Sequence, residues 1–107
     1  MSLDVTLEAI RPYTVFQANI THNLNTMADE AGVYMAVWRP EECGITTAAQ
    51  LIPILTSGIQ KLQENPQHFQ TFNPPNGWGT YQELIRWLKE YLKACIENPD
   101  ANVKASR

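Results

Sequence analysis

Three stretches of this chain gather side chains that could hold a ligand or move a proton. The first is Asn19-Ile20-Thr21-His22-Asn23, where an extended segment meets the start of a helix. Unpaired N–H groups at a helix N-terminus attract an anion or a carboxylate, and His22 with two amides adds directional donors. Thr21 or Asn23 serving as a helix cap, with His22 simply packed or solvated, is the plainer account of the same residues. The second stretch is Trp38-Arg39-Pro40-Glu41-Glu42. Arg39 suits bidentate recognition of a phosphate or carboxylate, and Trp38 suits stacking on a ring. The preferred account places Trp38 in the core, with Pro40 opening a helical turn whose N-terminal dipole favours Glu41 and Glu42. The third is Asn76-Gly77-Trp78-Gly79-Thr80-Tyr81, in which two glycines permit close backbone approach beside a helix start. It lacks the GxxxxGK[ST] spacing of a phosphate loop, and an Asn-Gly turn feeding a capped helix over Trp78 and Tyr81 explains it as well.

No GxSxG, HExxH, EF-hand or dinucleotide pattern occurs in the chain. Cys43 and Cys95 have neither CxxC spacing nor histidines at ligand distance, so the expectation is two reduced thiols, no metal and no cofactor. The reading that follows is a small non-enzymatic binding module. It presents His22, Asn23, Trp38, Arg39, Trp78 and Tyr81 around a shallow polar and aromatic site, for a protein partner or a small anionic ligand such as a nucleotide. One alternative is a small enzyme with His22 as general base, oriented by Glu41 or Glu42, while Arg39 holds an anionic substrate. Another is a structural homo-oligomer subunit in which Trp38 and Trp78 form the contact.

The elements that must position these residues are read from periodicity. Leu3, Val5 and Leu7 alternate with polar residues, the pattern of a half-buried strand that Arg11-Pro12 interrupts, and Thr14 to Ala18 forms a second extended run. From Leu24, the residues Met27, Ala28, Ala31, Met35 and Trp38 share one helical face, with Gly32 marking an alternative break. A second helix starts at the Thr47/Gln50 capping pair, carries Pro53 as a kink or first-turn marker, and ends near Asn65-Pro66. Residues 67–79 read as a loop pinned by Phe69, Phe72 and Trp78. A third helix runs from the Thr80/Glu83 pair to Asn98-Pro99 with Cys95 on its apolar stripe, and the tail from Ala101 to Arg107 is either a frayed end or, the preferred reading, a short strand pairing with Val5 to Leu7. The expected fold is α+β and mainly α, about three helices packed on a small sheet from the N- and C-terminal segments, forming one domain over residues 1–107.

Composition sets the outer bounds. Apolar residues make up 44% and charged residues 18%, enough for a core and unlike a disordered chain. The net charge of −3 opposes nonspecific nucleic-acid binding. No window approaches eighteen consecutive apolar residues, and Met1-Ser2-Leu3-Asp4 has no signal-like pattern, which points to a cytoplasmic protein with no membrane contact, as a monomer or small oligomer. The Asn19-Ile20-Thr21 triplet matches a glycosylation acceptor but has no meaning without secretion. The runs Asn19 to Asn23, Trp38 to Glu42, Asn73 to Tyr81 and the closing Ser106-Arg107 resemble small uncharacterised bacterial and phage-encoded proteins. That resemblance implies a prokaryotic or phage accessory protein, and it transfers no catalytic or binding role.

Overall fold

The computed structural model describes residues 1–9 and 14–107. The expected Arg11-Pro12 interruption lies outside them. The alternation in the first segment becomes strand β1 (Ser2–Glu8), whose Leu3, Val5 and Leu7 are fully buried while Asp4 faces solvent. Strand β2 (Thr14–Thr21) pairs antiparallel with one side of β1, and β3 (Asn102–Ser106) pairs antiparallel with the other. The sheet order is therefore β2-β1-β3. Leu3 stands opposite Ile20 and Val5 opposite both Ala18 and Ala105, so one sheet face is apolar. The other face is polar, and Asn19 Nδ2 donates to both Ser2 Oγ and Asp4 Oδ1 at 2.8 Å.

The first helical stripe divides, as the alternative at Gly32 allowed. Helix α1 (Asn25–Glu30) ends where Gly32 takes φ +82°, and α2 (Tyr34–Trp38) resumes beyond it. Gly32 N–H donates to Asp29 O at 2.9 Å and Val33 N–H to Ala28 O at 3.0 Å, a Schellman closure that needs a left-handed residue between. Helix α3 (Ala48–Glu64) runs through the exposed Pro53. Its first free N–H groups are taken by the chain leading into β3: Ala48 donates to Ala101 O and Ala49 to Pro99 O, both at 2.9 Å. Gln50 Oε1 accepts from Thr46 N at 2.7 Å and Thr47 N at 3.0 Å, fixing the same corner.

Residues 67–79 are not wholly a loop. Pro66 opens a single helical turn, α4 (Pro66–Gln70), because proline at the first helical position loses no bond and presets φ. Helix α5 (Tyr81–Glu97) follows, with Thr80 Oγ1 accepting from Glu83 N at 3.1 Å. Among the described residues there are thus five α-helices rather than three, the two additions arising from the Gly32 break and the Pro66 turn. The sheet's apolar face, α3 and α5 enclose one core that includes Leu24, Leu51, Leu55, Leu84 and Leu88, each fully buried and each contributing about 1.5–3 kcal/mol. The mainly helical α+β class holds. No helix among the described residues is long and apolar enough to cross a membrane.

Candidate functional site

Hydrogen bonds tie the polar clusters chosen from sequence to one another, yet they do not make one open site. The indole of Trp38 is only 1% exposed, and its Nε1–H donates to His22 Nδ1 at 2.9 Å. Tyr34 stacks on Trp38 with ring centroids 5.6 Å apart, and Arg39 Nε donates to the Tyr34 hydroxyl at 3.1 Å. Arg39 also pairs with Glu42 at 2.6 Å. Both partners hold its guanidinium charged, the Tyr34 hydrogen bond first and Glu42 second, and raise its pKa beyond the usual arginine value. Arg107, at the end of β3, donates to Trp38 O at 2.8 Å and to the Glu41 carboxylate. That bond from Arg107 lowers the pKa of Glu41.

These contacts remove the parts of a His22-based catalyst. A ring that accepts at Nδ1 carries its neutral-form proton on Nε2, so neither nitrogen keeps a free lone pair for proton abstraction. Glu41 and Glu42 each engage an arginine, not the imidazole. Arg39 is spanned by Tyr34 and Glu42 rather than open to an anion.

Asn23 Nδ2 donates to Trp78 O at 3.3 Å, which ties the first cluster to the third. Gly79 makes this approach possible. It takes φ +102°, and a Cβ there would stand 2.9 Å from side-chain atoms of both Leu24 and Thr21. Tyr81 lies on the far side of that turn with its ring buried and its hydroxyl donating to Leu62 O, so it presents no face to a ligand. Trp78 does the reverse. Between Gly77 at φ +74° and Gly79 the chain turns the indole outward, leaving it 71% exposed, so it does not pin the loop as its residue type suggested.

The concave feature beside Trp78 joins parts of the first and third stretches to an α5 wall that the sequence did not single out. A cleft of about 890 Å³ runs between β2 and α5, with Ala18 to Thr21 on one wall, Glu83, Arg86 and Glu90 on the other, and Gly77 to Gly79 closing one end. Trp87 lies against it, and its Nε1 is buried without a partner among the described residues. Asn19, Ile20 and Thr21 of the first stretch and Gly77, Trp78 and Gly79 of the third line this cleft, but of the six side chains proposed to present the site Trp78 alone does.

The wall formed by β2 is a sheet edge. His22 N–H donates to Met1 O at 3.3 Å, and hydrogen-bonded pairs alternate along an antiparallel ladder. Leu3–Ile20, Val5–Ala18 and Leu7–Phe16 are therefore the bonded pairs, and Gln17, Asn19 and Thr21 turn their N–H and C=O groups to the open side. The opposite edge obeys the same alternation, with Val103 N–H leaving the sheet to reach Thr46 O at 2.9 Å. A signal for the open edge was present in the sequence. From Thr14 to Thr21 there is no charge and no proline, the devices that usually blunt an edge strand, whereas β3 carries Lys104 and is followed by Arg107. Comparison of the chain with family models, with curated proteins and with solved structures finds no match.

Proposed function

We propose that the protein is a non-enzymatic interaction module that binds another polypeptide along the cleft between β2 and α5. The observation that carries this reading is the uncharged, proline-free outer edge of β2 lying beside the exposed Trp78. Outward main-chain donors and acceptors on Gln17, Asn19 and Thr21 are satisfied in register only by another extended backbone, and an exposed indole supplies an anchor at the end of the row. A small anionic ligand is the weaker form of the binding reading. Arg39 and Arg107 are engaged by carboxylates, and the cleft sets two glutamates against one arginine.

We place the module in the cytoplasm of a prokaryote or a phage-infected cell, in keeping with its two free thiols, Cys43 and Cys95, and with the resemblance described above. Native mass spectrometry of the protein purified gently from its host tests the reading. The expected result is a retained polypeptide mass that disappears in Gln17→Pro and survives in Arg39→Ala. A retained small molecule lost in Arg39→Ala would instead support the anionic-ligand form.

A further inference from the structure

Resting on the polypeptide-binding reading, we infer that the occupant of the cleft is an extended segment of another protein whose alternate residues run basic, acidic, basic. Two contacts fix the level of β2 on α5. Phe16 stacks on Tyr91 with ring centroids 5.7 Å apart, and Thr21 Cγ2 lies against Gly79, 2.9 Å from where a Cβ would stand. The five strand residues between these contacts span about 17 Å, and twelve residues at helical rise span about 18 Å, so β2 and α5 run side by side in opposite directions. Ala18 is then level with residue 86. Of the charged residues on the cleft wall, Glu90 stands nearest the level of Phe16, Arg86 that of Ala18 and Glu83 that of Ile20.

The direction of an added strand's side chains follows from the sheet. Residues directly opposite each other on neighbouring strands point to the same face. Phe16, Ala18 and Ile20 point toward the helices, because they stand opposite the buried Leu7, Val5 and Leu3. The three residues that an occupant sets opposite Phe16, Ala18 and Ile20 therefore face Glu90, Arg86 and Glu83 in turn. Among the described residues none of these three charges is engaged in an ion pair within the chain. Trp78, exposed at the Glu83 end, offers an aromatic face that favours a cation there as well. The charge pattern reads the same from both ends, so parallel and antiparallel addition make the same demand. These 107 residues hold no such segment: the basic pair four positions apart, Lys89 and Lys93, flanks Tyr91 inside α5. The charges thus select a partner other than a second copy.

NMR titration of the amide signals of Gln17, Asn19 and Thr21 tests this with two end-blocked, threonine-flanked peptides, Lys-Thr-Glu-Thr-Lys and Lys-Thr-Lys-Thr-Lys. Attraction to the net charge of −3 alone favours the triple-lysine peptide, whereas pairing with Glu90, Arg86 and Glu83 favours the one with a central acid. The expected result is about fivefold tighter binding of the central-acid peptide, with the order reversed in Arg86→Glu. Gln17→Pro should weaken both, since that N–H faces outward and its loss breaks no bond to β1. Circular dichroism checks that each variant is folded, and the exposed Arg86 carries the comparison even if the proline variant is not. Equal or tighter binding of the triple-lysine peptide by the unaltered protein overturns the charge pattern; if the three amides still move and Gln17→Pro weakens the binding, the interaction-module reading stands. Amides that neither peptide moves overturn the pattern as well. The native mass spectrum then separates the two ideas: a host polypeptide lost in Gln17→Pro keeps the interaction-module reading, and none retained ends both.

Discussion

Two buried tyrosines on α5 carry hydroxyl groups with opposite fates. Tyr81 donates its hydroxyl proton to Leu62 O, while the hydroxyl of Tyr91 is buried with no partner among the described residues. Removing one partner of a buried hydrogen bond costs about 1 kcal/mol or more, whereas removing an unsatisfied group relieves a desolvation penalty of similar size. Tyr81→Phe is therefore expected to destabilise by about 1–2 kcal/mol and Tyr91→Phe to be neutral or stabilising, read at constant slope as a urea midpoint that falls in the first and holds or rises in the second. Burial of Trp38 was legible in the sequence, since the residue continues the apolar stripe from Leu24, and its ring is spent on packing and on His22. The Glu41 partner was not legible. Arg107 lies 66 positions away and reaches the turn only because β3 pairs with β1, a non-local event that residue type and spacing do not encode.

At the scale of elements, the close crossing of α3 over the Gly32 turn depends on a glycine that helix propensity would replace. Alanine at position 58 would improve propensity by about 1 kcal/mol. A Cβ there, however, would stand 2.2 Å from Val33 Cγ1, a contact that forces the turn off the helix, and overpacking of this kind costs about 1–3 kcal/mol. Gly58→Ala is thus expected to lower thermal stability despite its propensity gain. Combined with Val33→Ala it should be less damaging than the two single effects added, and a double-mutant cycle measures that coupling. Elements whose ends are written locally were legible: Thr47 and Thr80 start α3 and α5, and Asn65 and Asn98 end them. The Pro66 turn was hidden inside a run of punctuating residues, and the position of β2 at an open edge follows from sheet order, which periodicity does not report. The candidate site shares that origin. Its walls come from β2 and α5, elements far apart in the chain, so selecting polar clusters along the sequence found Asn19 to Thr21 and Gly77 to Gly79 and missed the α5 wall of Glu83, Arg86 and Glu90.

For the whole molecule, two conditions should change stability in calculable directions. Burial pushes the Cys95 thiol from 9.0 up to about 12 and raises the Tyr91 phenol as well. An acid whose folded pKa is raised contributes stability that is complete below its unfolded pKa and is lost as pH climbs through the folded one, because the unfolded chain then releases protons the folded chain retains. The contribution of these two groups to the unfolding free energy should therefore be flat up to about pH 9 and fall from there toward 12, and Cys95→Ala should flatten the first part of that fall in pH-dependent urea titrations. Occupancy of the cleft is the second condition. If an extended peptide adds to β2 of the folded chain alone, tenfold more of it above its Kd favours folding by about 1.4 kcal/mol. Unfolding entropy near 2.1 cal/mol/K per residue over 107 residues is about 0.22 kcal/mol/K, so the melting temperature should rise by roughly 6 °C per tenfold increase in the Lys-Thr-Glu-Thr-Lys peptide. Gln17→Pro should shift far less across the same range, because its edge has lost a donor to the added strand. The slope of melting temperature against peptide concentration thus reads the state of the β2 edge directly, whereas the pH dependence, set inside each chain by Cys95 and Tyr91, should keep the same form in both proteins.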